Sequence, residues 1–151
     1  MAMPQIEQTK SLIAKHRQKA PEWMQEYIEY MELDGYSYRT ILNYLKYILE
    51  FFKWAQAEGI DPRRNTKFFY LESFTKLRKA QVLRYFETLK PKPDKYNAAK
   101  NALSSLSDWL LDECEDTGLY RNLFRQVRII KNPKNMRQRG LELKEKLFLC
   151  F

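Results

Sequence analysis

The stretch from Gly35 to Gly59 carries the pattern of one capped α-helix, and it constrains the fold more than any other part of the chain. Ser37 can accept a hydrogen bond from the free N–H groups of a first helical turn. A glycine at either end suits the positive φ that follows a helix C-terminus. Apolar residues recur at steps of three and four, which places them along one buried stripe: Ile41, Leu45, Ile48, Phe52 and Ala55.

The polar side of this central helix has side chains that could contact a nucleic acid. Basic groups can meet phosphates, and amides and hydroxyls can reach base edges. Most basic helix faces are only solvated, so from this helix alone an ordinary solvated face is the better interpretation. The candidate DNA-binding residues here are Ser37, Tyr38, Arg39, Thr40, Asn43 and Lys46.

The composition fits one helical domain. The 151 residues are enough for a core, 44% of them are apolar, and only four are glycine. With apolar periods of three and four, we expect an all-α fold, a compact bundle of four to five helices.

No run of eighteen apolar residues and no apolar signal core occur, so we expect a cytoplasmic protein without a membrane partner. Cys114 and Cys150 are far apart and lack a CxxC pattern; we expect free thiols, no metal and no cofactor.

The positive charge is segregated along the chain. The net charge is +8, yet segment 61–100 holds eleven basic against four acidic residues and segment 119–151 holds nine against two. Segment 101–118 holds five acidic residues and no basic one. Such segregation is typical of a protein with a polyanionic partner, and no segment has the basic and apolar faces of a membrane-surface helix. Nucleic acid is therefore the preferred partner class, and no small-molecule substrate is indicated.

Two helices are predicted before the central one. The first, over about Gln5–Lys19, has sparse apolar contacts and is expected to be peripheral or partly frayed. His16, the only histidine, is expected at the surface, because a lone histidine beside basic neighbours is a poor metal ligand and a poor base. The second helix starts after Pro21 and is acidic on its outer side. Its expected core face is Met24, Tyr27, Ile28 and Met31.

Three further helices are expected after Gly59. Thr75 is a plausible cap for a helix to Leu89, and Asp94 for a longer one to about Cys114. A shorter helix is expected over 119–130. The irregular segment before the first of them is expected to be anchored by Phe68, Phe69, Leu71 and Phe74. The inward positions of the three helices are expected to be Val82, Leu83, Phe86 and Leu89, then Ala99, Ala102, Leu103, Leu106, Trp109 and Leu110, then Leu123, Phe124 and Val127.

The long helix after Asp94 repeats the arrangement of the central helix, with its polar hydrogen-bonding side chains in its first half. We expect the basic first halves of both helices to face a common partner. Segment 134–140 is basic and nearly free of core residues, so Arg137 and Arg139 are expected to lie along phosphates. The candidate DNA-binding residues on the long helix are Lys95, Asn97, Lys100, Asn101 and Ser104.

Several of these stretches, in this order, resemble the core-binding domain of tyrosine recombinases, the phage integrases and Xer proteins. The first set of similar positions is Tyr27, Gly35 to Ile41, Tyr44 to Lys46, Phe51 to Trp54, and Gly59 with Ile60. The second set is similar to the XerS type of Xer recombinase in particular: Asn97, Ala102-Leu103-Ser104-Ser105-Leu106, Tyr120-Arg121-Asn122 and Lys146-Leu147-Phe148-Leu149. The resemblance covers nearly the whole chain, and it makes DNA binding the better interpretation.

The resemblance implies a SAM-like helical bundle that forms half of a clamp around duplex DNA. Two crossing helices would enter the major groove of an inverted-repeat site. Other recombinase subunits would bind the same DNA, and the protein would be associated with the bacterial nucleoid. The two crossing helices correspond to the central helix and the helix after Asp94, with the candidate residues named above. One position departs from the family, which often has Arg after the Asn that Asn97 matches; here it is Ala98.

The resemblance also implies that catalytic residues belong to a separate C-terminal domain. This chain has no HxxR motif, since its one histidine is His16, so we expect it to bind DNA without cutting it. We expect residues 1–132 to be the core-binding domain and 133–151 a linker toward an absent catalytic domain.

Two other functions were weighed against DNA binding. A helical interaction domain could dock to another recombinase subunit through the acidic second helix and the apolar C-terminal end. An enzyme complete in this chain is disfavoured, because no phosphate-binding glycine loop, metal-ligand spacing or histidine with a nucleophile is present.

Overall fold

In the computed structural model, which describes residues 5–113 and 121–130, the chain folds into a helical bundle, and no strand occurs in these ranges. Five of the six α-helices have nine residues or more, so the predicted bundle of four to five helices is confirmed. The helices are α1 (Gln5–Lys19), α2 (Gln25–Leu33), α3 (Tyr38–Ala57), α4 (Leu71–Thr75), α5 (Lys79–Leu89) and α6 (Pro93–Glu113). Short 3-10 turns cover Glu22–Met24, Thr66–Phe68 and Phe124–Gln126.

Helix α3 lies at the centre of the bundle, and its caps are those that the sequence indicates. The Ser37 hydroxyl accepts a hydrogen bond from the Thr40 N–H at 3.1 Å. Gly35 and Gly59 have φ values of 81° and 78°, in the left-handed region that glycine adopts without strain. The predicted stripe is buried in full, and Leu49 and Phe51 widen it.

Helices α1 and α6 both pack against α3, and they run in opposite directions along it. Lys10 on α1 lies 5.0 Å from the ring centre of Tyr38, and His16 lies further along α3, near Lys46, so α1 runs parallel to α3. Helix α6 runs antiparallel to α3, because its first turn meets the second half of α3 while its middle meets the first half. Thr9 and Ile13 are the buried residues of α1 and most of its other side chains are exposed, so the helix lies at the periphery of the bundle as expected.

A cluster of aromatic rings fills the space between α3 and the later helices. The Phe52 and Phe69 rings stack with centroids 4.1 Å apart and planes 10° apart. Trp23 donates its indole N–H to the Phe69 carbonyl at 2.8 Å, which ties the first helices to this cluster. Phe69 and Phe74 are buried as predicted, but Phe68 is 55% exposed, because it ends the 3-10 turn pointing away from the core.

Two predicted helix caps were wrong. Thr75 ends the short helix α4, and α5 starts at Lys79 with the Gln81 side chain accepting the Arg78 N–H at 2.9 Å. Asp94 lies within the first turn of α6, not at its cap, since α6 already begins at Pro93. In α6 the whole predicted stripe is buried.

One inward assignment and one predicted helix also need correction. Leu83 is 46% exposed, and Tyr85 takes the buried position on α5 instead. The part of the predicted 119–130 helix that the structure describes holds only the 3-10 turn Phe124–Gln126. Its inward residues Leu123, Phe124 and Val127 are nevertheless buried as predicted.

Asp61 organises the loop after α3. Its carboxylate is 1% exposed and accepts hydrogen bonds from the Arg63 N–H at 2.9 Å, the Tyr70 N–H at 3.0 Å and the Ser73 hydroxyl at 2.7 Å. Burial alone would raise the pKa of Asp61, but these donors and Gln56 outweigh it and the pKa is lowered.

Asp61→Asn should therefore destabilise the protein by about 1–3 kcal/mol at neutral pH, because an amide cannot accept the same set of bonds. A lowered pKa in the folded state stabilises the fold above the ordinary carboxyl pKa of about 3.9, and the contribution is lost as the pH falls through the lowered value. Urea unfolding of both proteins at neutral pH and at about pH 3 should show the difference shrinking in acid. Glu58→Gln, at an exposed position, serves as the control. An equal difference at both pH values would contradict this role of the carboxylate.

Candidate nucleic-acid interface

The first half of α3 presents most of its predicted binding residues to solvent. Arg39, Asn43 and Lys46 are exposed, and they lie at helical spacing along one side. Tyr38 is also exposed, with Lys10 against its ring. These side chains can reach a ligand that lies against the helix.

Ser37 and Thr40 have a local structural role as well. Their hydroxyl oxygens lie 2.8 Å apart, and Ser37 caps the helix. Ser37 is exposed and Thr40 half-buried. A ligand would meet these hydroxyls already fixed in place by the cap.

Three cations among the candidate residues are free to pair with an anion. Arg39, Lys46 and Lys100 form no ion pair with any residue that the structure describes. Lys46 has its ammonium 5.7 Å from the Tyr47 ring centre, a contact that leaves the charge accessible. Each can therefore pair with a phosphate without first breaking an internal ion pair.

Lys95 on α6 is not free in this way. Its ammonium lies 3.1 Å from the Glu50 carboxylate of α3, and both side chains are about one-third exposed. The pair neutralises Glu50, the one acidic residue of α3. Lys95 thus acts on the interface mainly by cancelling that negative charge.

Asn97 uses its amide inside the chain. It donates to the Ile130 carbonyl at 2.5 Å and accepts the Ile130 N–H at 3.0 Å. This two-bond pairing holds the described segment 121–130 against α6. The sequence could not reveal it, since the partner lies thirty-three residues away.

Asn97→Ala should lower the free energy of unfolding by about 1–3 kcal/mol, because it leaves the half-buried backbone groups of Ile130 without their partner. Thermal or urea unfolding measures the change. Asn101→Ala, an exposed asparagine one turn further along the same helix, is the matched control and should change stability little. Equal effects of the two substitutions would contradict the structural role of Asn97.

Asn101 and Ser104 line a groove between α6 and the first half of α3. The groove has a volume of about 390 Å³ and is shared with Tyr36, Tyr44 and Trp109. Asn101 is exposed, and Ser104 is half-buried with its carbonyl accepting the Asn122 amide at 2.8 Å. Lys100, half-buried, lies next to Asn101 in the same turn.

Two acidic residues, Asp108 and Asp112, line this groove, and Asp108 is neutralised from the segment after α6. Asp108 pairs with the guanidinium of Arg125, whose Nε lies 3.0 Å from it, and also accepts the Asn122 amide at 2.9 Å. Asn122 is 9% exposed and accepts the Phe124 N–H, so it fixes the geometry of the segment. Asn122 was named only as a position of the family resemblance, and neither it nor Arg125 was given a structural role from the sequence; an asparagine next to buried apolar residues was the available signal.

His16 departs from its expected surface position. It is half-buried between α1 and α3. Burial lowers its pKa, the Leu12 carbonyl opposes this, and the charges of Lys19 and Lys46 lower it further.

Several earlier predictions lie outside the described residues. These are Arg137 and Arg139, Cys114 and Cys150, and the boundary between residues 132 and 133. Within the described ranges no cluster of three or more metal-binding side chains occurs. No described helix has the length and apolar character needed to cross a bilayer.

Comparison with known proteins shows what the chain is similar to. Tyrosine recombinase XerS of Streptococcus thermophilus (strain ATCC BAA-491 / LMD-9) is 25% identical over 166 aligned positions, covering 99% of this chain and 45% of that protein. Tyrosine recombinase XerS of Streptococcus pneumoniae (strain CGSP14) is 28% identical over 154 positions, covering 91% of this chain and 43% of that protein. The chain therefore spans less than half the length of these curated relatives. No solved structure matches it.

A family model gives the assignment. The model described as "Phage integrase, N-terminal SAM-like domain" matches residues 23–115, more than half of the chain. The matched stretch contains helices α2 to α6 in full, including both helices of the candidate interface. The resemblance to tyrosine recombinases is thus confirmed, and this chain belongs to the phage integrase N-terminal SAM-like domain family.

Proposed function

We propose that this chain binds duplex DNA as the core-binding module of a site-specific tyrosine recombinase. The observation that carries the proposal is the free, exposed row Arg39, Asn43 and Lys46 on α3, together with Lys100 and Asn101 on α6, which packs antiparallel against α3. A row of unpaired cations interleaved with amides suits a surface that meets phosphates and base edges together.

The side chains divide into two groups by their chemistry. Arg39, Lys46 and Lys100 would contact phosphates and supply most of the affinity. Asn43 and Asn101 would read base edges in the major groove, which is wide enough for an α-helix and where an amide can bind adenine through two hydrogen bonds. Ser37, Tyr38 and Thr40 would contact the sugar-phosphate backbone. The Ser104 hydroxyl is buried, so the predicted contact of Ser104 with DNA is not part of this proposal.

The electrostatics of the flanking residues support this proposal. Glu50, the one acidic residue of α3, and Asp108, which lines the groove with Asn101 and Ser104, are each paired with a cation, Lys95 and Arg125. A paired carboxylate repels a phosphate less than a free one. We include Lys95 and Asn97 in the interface for this supporting role, not as direct contacts.

The proposal extends to the assembly in which the module works. From the family resemblance, we propose an inverted-repeat target on which several recombinase subunits assemble, in chromosome dimer resolution or mobile-element integration.

We further propose that the chain as given does not cleave DNA, because the stretch that matches the family is an N-terminal domain and the sequence holds only one histidine. Incubation with supercoiled plasmid should leave the plasmid intact, as judged on an agarose gel. Accumulation of nicked circles that follows the protein through purification would contradict this.

Docking to another recombinase subunit is the second candidate. Helix α2 and the turn before it expose Glu22, Glu26 and Glu29, and Leu33 at the end of α2 is 80% exposed. An acidic surface with an exposed apolar residue suits a protein partner better than a phosphate backbone.

Fluorescence anisotropy of a labelled duplex of about thirty base pairs separates the two functions. DNA binding predicts a saturable rise at low salt that an unlabelled duplex competes away. No rise at low salt would contradict the proposal and favour docking, which sedimentation with a full-length recombinase would then reveal.

A further inference from the structure

A second basic surface lies on the other side of α3, toward α1. It is a groove of about 500 Å³ between α1, the second half of α3 and the loop 61–66, and we call it the basic groove. Lys19 of α1, Lys53 of α3 and Arg64 of the loop line it, with Lys46 and His16. Lys19, Lys53 and Arg64 are not among the candidate residues predicted from the sequence.

The positive charge of the basic groove is uncompensated. Lys19, Lys46, Lys53 and Arg64 form no ion pair with any residue in 5–112 or 121–130. Glu50 is the one carboxylate among the lining residues, and Lys95 neutralises it at 3.1 Å. Four unpaired cations around one cavity attract an anion.

Hydrogen bonds fix the walls of the basic groove. The Thr66 hydroxyl donates to the Lys19 carbonyl at 2.7 Å and so ties the loop to the end of α1. The Gln56 amide donates to the Asn65 carbonyl at 2.9 Å and contacts the buried Asp61 at 3.3 Å. Because the backbone of these walls is already held in place, the entropic cost of ordering it when an anion binds would be small.

The basic groove is continuous with the proposed DNA-binding face, because Lys46 belongs to both. From Arg39 to Lys53 the rise along α3 is roughly 21 Å, which spans several successive phosphates of one strand. Ammonium and guanidinium groups without internal acceptors can contact the phosphate oxygens of a backbone that lies in the groove.

We infer that the basic groove holds the sugar-phosphate backbone of the bound duplex next to the part that α3 and α6 contact, and that Lys19, Lys53 and Arg64 contact its phosphates. This inference rests on the proposed DNA binding, and it gives the path of the DNA strand beyond those two helices.

His16 provides a probe inside the basic groove. It is the only histidine in the sequence, so the two C–H signals of its ring can be assigned without ambiguity in NMR spectra of the untagged protein. The nearby cations oppose its protonation and its pKa is lowered, with burial as the larger cause. A phosphate placed among those cations would offset their charge and raise the pKa.

The test compares two triple variants by anisotropy with the same duplex. Lys19→Ala/Lys53→Ala/Arg64→Ala should bind at least tenfold more weakly than wild type and reduce the steepness of the salt dependence by about 2 to 3. The control, Lys76→Ala/Lys79→Ala/Arg84→Ala, removes three exposed cations outside the basic groove and should lower affinity much less. Circular dichroism checks that both retain their helix content.

The wild-type NMR titration is independent of any folding defect. On addition of duplex the His16 ring signal should shift and its pKa should rise. If the duplex binds but the His16 signal stays in place and both triple variants bind alike, the inference is overturned while the proposed function stands. If wild type binds no duplex at all, both fall.

Discussion

Phe52→Ala should lower the free energy of unfolding by roughly 3–5 kcal/mol, the range for removing a buried phenylalanine from a packed core. Phe52 is fully buried and stacks on Phe69 at 4.1 Å between ring centres. Its ring also contacts Trp23 at 5.9 Å and Phe74 at 6.2 Å. These neighbours come from three other parts of the chain and cannot all move in to fill the space.

Chemical denaturation followed by far-ultraviolet circular dichroism measures this change. Phe68→Ala is the matched control, because Phe68 is adjacent to Phe69 yet 55% exposed, and it should change stability by well under 1 kcal/mol. A small effect of Phe52→Ala would mean that α3 is not the packing centre of the bundle.

Arg39→Ala/Lys46→Ala/Lys100→Ala should weaken duplex binding by about a hundredfold at low salt. Each cation contributes about 1 kcal/mol to binding if it contacts a phosphate, and the three contributions are expected to add. None of them forms an ion pair with a described residue, so the fold has little to lose. Anisotropy titration gives the affinity, and circular dichroism should show unchanged helix content.

The control removes the same number of charges elsewhere. Lys76→Ala/Lys79→Ala/Arg84→Ala lies on and around α4 and α5 and should reduce affinity several-fold at most, through net charge alone. If both triple variants lost affinity equally, the binding surface would be a diffuse positive field and not the face formed by α3 and α6.

Local pattern was enough to predict the helices that bury a continuous stripe. The stripe of α3 and its Ser37 cap follow from residue spacing and hydrogen-bonding chemistry within one turn. The all-α class follows in the same way, since few glycines and periods of three and four occur together. These features need no knowledge of where other segments lie.

The wrong predictions are those that depend on distant partners. Thr75 satisfies the rule for a cap, but a separate short helix occupies its position, and α5 starts later. Tyr85 is buried in place of Leu83 because it meets the Phe51 ring at 5.0 Å between centroids. Phe68 and Phe69 are adjacent and equally apolar, and only the 3-10 turn decides which one faces the core.

The candidate site shows the same limit. Helical spacing placed Arg39, Asn43 and Lys46 correctly on an exposed side. It could not show that Asn97 binds the backbone of Ile130 or that Lys95 pairs with Glu50, because both partners are remote in sequence.

The salt dependence of duplex binding tests the central claim most directly. Titrations at several salt concentrations give the slope of log affinity against log salt. An interface that neutralises about six phosphates predicts a slope of roughly −5. A slope near zero, or no binding at low salt, would contradict the account of this chain as a DNA-binding module.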